Sequence, residues 1–267
     1  METHHPASLS DALDALDADP EATILAGGTD LMVSVNYDSL RPSSVIAIRR
    51  VRELHEWDGR FIGAGVTFAR MENGPIRALA QAARTVGSPQ IRNAGTLGGN
   101  LGTASPAGDS LPVLAALDAE IVVTSKGGER SVHWDEFVTG PKRTALEPGE
   151  LIVGSRLPER IPPGQAFAKI GIRNAMVIAI TSCCLFRDED GRTTVALGSV
   201  GPTPIRARRA EEMISDEPSP SPAAIEEFGR LVAEEVSPID DHRSTAAYRR
   251  HASGVLAKRL LARVLTR

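Results

Sequence analysis

Apolar residues recur at helical spacing at Leu9, Ala12, Leu13 and Leu16, with Ser8 or Ser10 before them as a cap and Asp19-Pro20 after them as a stop. A strand over 22–26 then runs into Gly27-Gly28-Thr29, and Leu31, Met32, Val33 and Val35 predict a short helix opening at Asp30. Two further strands are expected at 45–48 and 61–65, joined by a charged connection over 49–60. Residues 67–86 read as helix, broken near Asn73-Gly74-Pro75. The stretch 87–108, rich in Gly, Asn, Ser and Thr, reads as a long irregular segment, which inside a compact domain points to function. Asp109 or Ser110 opens a helix through Leu111, Val113, Leu114 and Leu117, and a hairpin pairs 120–124 with 131–133 around Lys126-Gly127-Gly128.

The pattern changes after Pro158. Ile161-Pro162-Pro163-Gly164 forms a linker, and strands follow at 166–170, 177–187 and 193–200, the last two joined by a turn at Asp188-Glu189-Asp190-Gly191. The remainder is helical over 205–215, 223–236 and 248–265, with Leu256, Leu260, Leu261 and Val264 at core spacing. Helices and strands alternate without a fixed-period repeat, which defines an α+β protein. The composition shifts divide it at 1–52, 53–160 and 161–267.

Composition narrows the function classes. The 267 residues carry a formal charge of -4, without the basic surplus of a nucleic-acid binder. No run approaches the roughly 20 apolar residues of a membrane span, and the opening residues, with Asp11, Asp14, Asp17 and Asp19, lack a signal-peptide pattern, so a cytoplasmic protein is expected. Cys183 and Cys184, the only cysteines, are neighbours on a strand and point to opposite faces, which suits neither a disulfide nor a cluster. No His, Cys and carboxylate spacing suggests a metal site; His55 and His133 read as structural or solvated, and Arg206-Ala207-Arg208-Arg209 as a solvated helix face.

The chemistry concentrates in two glycine-rich segments. Leu25-Ala26-Gly27-Gly28-Thr29-Asp30-Leu31 leads a strand through side-chain-free residues into a helix start, where backbone amides can converge on a phosphate or simply make a tight turn. Asn93-Ala94-Gly95-Thr96-Leu97-Gly98-Gly99-Asn100-Leu101-Gly102 again offers amides, a hydroxyl and a carboxamide with little bulk, so two loops can clasp one pyrophosphate. Neither matches the dinucleotide fingerprint G-x-G-x-x-G or the phosphate loop G-x-x-x-x-G-K-S/T.

Three strings together carry a resemblance: Ala26-Gly27-Gly28-Thr29-Asp30-Leu31-Met32; residues 87–102 continuing through Ala104-Ser105-Pro106-Ala107-Gly108-Asp109-Ser110-Leu111-Pro112; and Phe137-Val138-Thr139-Gly140-Pro141. They resemble the FAD subunits of the xanthine dehydrogenase and carbon monoxide dehydrogenase family, and the likeness extends over nearly the whole chain, with 150–158 similar to the end of the second flavin domain and 169–180 to the start of the C-terminal domain. The resemblance implies a two-part FAD-binding domain of the vanillyl-alcohol-oxidase-like type followed by a C-terminal domain of antiparallel sheet and helices.

It also implies site residues. Leu25, Ala26, Gly27, Gly28, Thr29, Asp30 and Leu31, with Thr96, Gly98, Gly99 and Asn100, would bind the FAD pyrophosphate and ribityl largely through main-chain groups. Asp109 would accept hydrogen bonds from flavin hydroxyls, beside an N-cap role that its position also allows. Ile152 would pack against the isoalloxazine and Lys169 would lie near the ring, beside its reading as a solvated strand residue. Arg92 would face either a partner subunit or the flavin edge. FAD would be the one cofactor. The partners implied are a molybdenum-cofactor large subunit and a small subunit with 2Fe-2S clusters, assembled as a dimer of heterotrimers, with electrons leaving the flavin for NAD, oxygen or another carrier. A stand-alone flavin oxidoreductase of the same fold and a flavin-free assembly subunit are the alternatives.

Overall fold

The computed structural model of the chain describes residues 2–173 and 177–266. Among the described residues, three larger sheets and one two-stranded sheet organise it. β1 (Glu2–His4), α1 (Leu9–Ala18), β2 (Thr23–Leu25), α2 (Leu31–Asn36) and β3 (Ser44–Ala47) build a parallel sheet of order β1-β3-β2. Ser8 is the cap of α1: its extended backbone directs the hydroxyl to the Asp11 amide at 3.1 Å, while Ala12 and Leu16 go into the core. The charged connection opens with two 3-10 turns, Ile48–Arg50 and Arg52–His55. Ile48, Val51 and Leu54 recur every third residue and are all buried, which is the spacing a 3-10 turn requires to keep one face inward.

The second group comprises β4 (Phe61–Gly63), α3 (Phe68–Glu72), α4 (Arg77–Arg84), α5 (Pro89–Ala94), α6 (Leu97–Thr103), α7 (Leu111–Ala116), β5 (Glu120–Ser125), β6 (Gly128–His133), α8 (Trp134–Phe137), β7 (Val138–Gly140), β8 (Arg143–Thr144) and β9 (Leu151–Arg156). Its main sheet is antiparallel, in the order β4-β9-β5-β6. The structure corrects the expectation of an irregular 87–108 segment. Ser88 caps α5 with Pro89 in its first turn, and Thr96 caps α6 by accepting the Gly99 amide at 3.0 Å. Gly98 of α6 answers packing rather than looping: a Cβ there would sit 2.5 Å from the Ala64 Cβ. The helix stops at Ala104, which turns left-handed at φ +43°.

The third group is β10 (Gly164–Ile170), β11 (Thr181–Arg187), β12 (Thr193–Gly198), β13 (Ile205–Arg206), α9 (Arg208–Ser215), α10 (Pro222–Glu235) and α11 (Ala246–Leu265), with the four strands antiparallel in sequence order. Of the expected 169–180 string, residues 174–176 lie outside the described residues. Alternation on the sheet splits the adjacent cysteines as expected. Cys184 faces the core of the first 160 residues together with Phe167 and Phe186, whereas Cys183 faces a second core with Leu185, Leu197 and the helices. Leu256, Leu260 and Leu261 are buried in that second core, and Val264 packs at its edge.

One surface expectation is overturned. Arg206 is not on a solvated helix face: it lies in β13, paired with β12, and its side chain is buried. Its guanidinium grips Glu211 at 2.5 and 2.7 Å and reaches Asp118 at 2.8 Å and the Ala115 carbonyl at 2.8 Å, bonding the third group to the second. The strand pairing ahead of α9 turns this arginine inward, and the helix begins only at Arg208.

Candidate cofactor cleft

A cleft of about 660 Å³ opens between the end of the parallel sheet, α6 and β9. That volume is within the roughly 300–1,000 Å³ of small-molecule and cofactor sites. One wall is the loop from β2 to α2, where Ala26, Gly27, Gly28, Thr29, Asp30 and Leu31 all border the space. Two constraints demand glycine here. A Cβ on Gly27 would fall 1.9 Å from the Ala94 carbonyl oxygen, and Gly28 is left-handed at φ +70°. The turn therefore satisfies the structural reading of Gly-Gly and also leaves amides open. Among the described residues, no oxygen takes up the amides of Gly28, Thr29, Asp30 or Leu31.

The second glycine segment faces the same cleft through Thr96, Gly98, Gly99 and Asn100, but its amides are spent. Leu97 donates to the Val66 carbonyl at 3.0 Å, Gly98 to the Ala64 carbonyl at 2.8 Å, Gly99 to Thr96 Oγ1 and Asn100 to the Thr96 carbonyl at 3.0 Å. This segment offers bare Cα surface and the Asn100 carboxamide, whose Oδ1 accepts from Ser110 Oγ at 2.6 Å. The two segments are tied by Thr103 Oγ1, which donates to Asp30 Oδ2 at 3.4 Å.

Ile152, on β9, lines the far wall, opposite Gly102. Leu25 does not line the cleft: on a strand of period two, Ile24 and Ala26 take the cleft side and Leu25 the other. Asp109 and Lys169 are brought together, but behind the wall. Lys169 Nζ lies 2.6 Å from Asp109 Oδ2 and also donates to the carbonyls of Thr85 at 2.9 Å and Val177 at 3.0 Å, so its three protons are placed. Lys169 is thus a buried partner and not a solvated strand residue. Burial pushes the Asp109 carboxyl above the usual carboxylate range, and Lys169 pulls it part of the way back. Asp109 does not cap α7; Ser110 holds the cap position, without a side-chain bond. The Asp109 Oδ1 atom is buried with no partner among the described residues.

Arg92 does not line the cleft; its side chain binds Glu72 at 2.9 Å and the Gly87 carbonyl at 2.9 Å, closing the turn before α5. His55 bonds the Arg49 carbonyl at 2.9 Å, and among the described residues no group of His, Cys, Asp and Glu could hold a metal ion. Ile24, Ile48, Leu146, Glu150 and Ile178, which are not among the expected site residues, also border the cleft, as does Gly102 of the second glycine segment. Two of them carried a signal: Ile24 through strand alternation, and Gly102 as the residue one helical turn beyond Gly98 and Gly99.

A cleft with open amides on one side, bare glycine surface on another and Ile24, Ile48, Leu146 and Ile152 along its walls fits a ligand that joins a diphosphate to flat apolar groups. FAD has that form. Residues 1–160 match the FAD binding domain in molybdopterin dehydrogenase, and residues 166–264 match the CO dehydrogenase flavoprotein C-terminal domain. The putative xanthine dehydrogenase FAD-binding subunit of Escherichia coli strain K12 is 31% identical, covering 97% of this chain and 94% of the relative. The nicotinate dehydrogenase FAD-subunit of Eubacterium barkeri is 36% identical over 75% of this chain and 74% of its own. Among solved structures, quinoline 2-oxidoreductase from Pseudomonas putida 86 superposes with a TM-score of 0.91 at 26% identity, covering 100% of this chain and 97% of the other. The chain belongs to the family of FAD-binding flavoprotein subunits of molybdenum-containing dehydrogenases.

Proposed function

We propose that this chain holds FAD along the cleft with the pyrophosphate on the amides of Gly28 to Leu31, and works as the electron-transferring subunit of a molybdenum hydroxylase. The observation that carries the reading is the run of unclaimed amides opening into the cleft. Ala26, Gly27, Thr96, Gly98, Gly99 and Asn100 contribute close backbone approach, and Ile152 packs against the isoalloxazine. Asp109, next to Gly108 of the wall, and its partner Lys169 brace that wall from behind. Leu25 supports the loop from the opposite face of β2. Bound FAD supplies the ability to take up and release electrons, and the protein supplies binding, orientation and electrostatics.

Substrate oxidation then belongs to a partner chain with the molybdenum cofactor, and a small subunit with 2Fe-2S clusters delivers the electrons, in a dimer of heterotrimers. NAD, oxygen or another carrier takes them onward. The division at 1–52, 53–160 and 161–267 and a cytoplasmic location belong to the same proposal; among the described residues no helix is long and apolar enough to cross a membrane. The absorption spectrum of the purified chain, with and without co-expressed partner subunits, tests it together with identification of any released cofactor. Flavin bands near one equivalent of FAD support the assignment, and a chain colourless even with its partners contradicts it.

A further inference from the structure

Glu150 borders the cleft on the run into β9, two residues before Ile152. Its carboxylate is 8% exposed and is gripped in a fork by Arg130 of β6, with Nε to Oε1 at 2.6 Å and Nη2 to Oε2 at 2.7 Å. The same groups secure the intervening turn: Arg130 Nη2 donates to the Ala145 carbonyl at 2.9 Å, and Glu150 Oε2 accepts the Glu147 amide at 2.8 Å. Leu146, inside that turn, is itself a cleft residue. Arg130 holds the Glu150 carboxyl below its ordinary range, so the pair is ionised and close to neutral as a unit.

We propose that Arg130 and Glu150 are a positioning pair that fixes the cleft wall over 145–151 and keeps the charge felt by a bound flavin balanced there; this rests on the reading that FAD lies in the cleft with its ring against Ile152. The pair acts electrostatically as well as sterically. A lone charge in a poorly solvated wall acts over several ångströms, whereas a bidentate pair largely cancels. A flavin gains negative charge on reduction. Neutralising Arg130 leaves Glu150 to oppose that gain, and neutralising Glu150 leaves Arg130, tempered by its 39% exposure, to favour it. A purely structural brace has no reason to give effects of opposite sign.

The test uses the full chain loaded with FAD. Flavin content is measured by cofactor release, and the midpoint potential by equilibrium reductive titration at fixed pH. Arg130→Gln is expected to shift the potential negative and Glu150→Gln to shift it positive. The double Gln variant and Arg130→Lys should stay near the unaltered chain. Shifts of the same sign, or no shift in FAD-loaded variants, overturn the proposal. So does loss of FAD from both single Gln variants with retention in Arg130→Lys, because the pair would then only prop the wall. An unaltered chain that binds no FAD fails at the earlier step, and takes the flavin reading down with the pair.

Discussion

Lys169 and Asp109, sixty residues apart in sequence, form a dry ion pair in which Nζ stands 2.6 Å from Oδ2 and the side chains are 7% and 6% exposed. The contact joins the first strand of the third group to the segment that leads into α7, directly behind the cleft wall at Gly108. It is a costly arrangement to disturb from one side only, because the remaining charge would be buried without its partner.

Lys169→Met should therefore destabilise the fold by about 3–5 kcal/mol near neutral pH, read by chemical denaturation. The pH dependence gives a second readout. The Asp109 carboxyl is raised in the folded state, and removing Lys169 raises it further. A group with a raised folded value contributes stability below its unfolded value and loses it as pH rises through the folded one. The deficit of Lys169→Met should accordingly shrink as pH falls toward the ordinary carboxylate range, and adding Asp109→Asn should recover most of it at neutral pH. A deficit that grows on acidification would contradict this account.

Gly98 and Gly102 both border the cleft, yet they should respond differently to a side chain. Gly98→Val meets Ala64 at once, so it should lower the melting temperature whether or not FAD is present. Gly102 has only Ile152 Cδ1 nearby, at 3.6 Å, so Gly102→Leu should fill the cleft and leave the fold standing. The expected outcome is a loss of FAD content of about tenfold or more with a melting temperature close to that of the unaltered cofactor-free chain, since about 1.4 kcal/mol of lost binding free energy is a tenfold loss of affinity. Cofactor release and calorimetry on both variants check it.

Arg206→Met should separate the third group's sheet from α7. It removes the grip on Glu211 and the bonds to Asp118 and the Ala115 carbonyl, and leaves the buried Glu211 carboxylate without its guanidinium. A loss of about 3–5 kcal/mol in denaturant unfolding is expected. A loss under about 1 kcal/mol would return Arg206 to the solvated role that its sequence context suggests.

Element order was legible in the sequence because period and punctuation agree in most of the chain. Ser8 before an apolar helical stripe, the hairpin at Gly127-Gly128 and the core spacing of Leu256, Leu260 and Leu261 all survive in the structure. The 87–108 segment was misread because four glycines within 95–102 suggest a loop, whereas Ser88 and Thr96 are caps, and the bareness of α6 at Gly98 reflects its close approach to Ala64. The glycine loops of the cleft were visible as motifs. What sequence could not supply was which amides remain free, since the acceptors for Leu97 and Gly98 come from Val66 and Ala64, some thirty residues earlier. Arg206 was hidden for the same reason: its partner Asp118 is distant in sequence.

Amide hydrogen exchange with and without added FAD tests most directly whether the amides of Gly28 to Leu31 hold the FAD pyrophosphate. In the cofactor-free chain these four amides should exchange rapidly, because no protein oxygen among the described residues takes them up, while those of Leu97 to Asn100 should already be slow. FAD should then protect residues 28–31 strongly and change 97–100 little. Protection confined to 97–100, with 28–31 unaffected by FAD, would contradict the account.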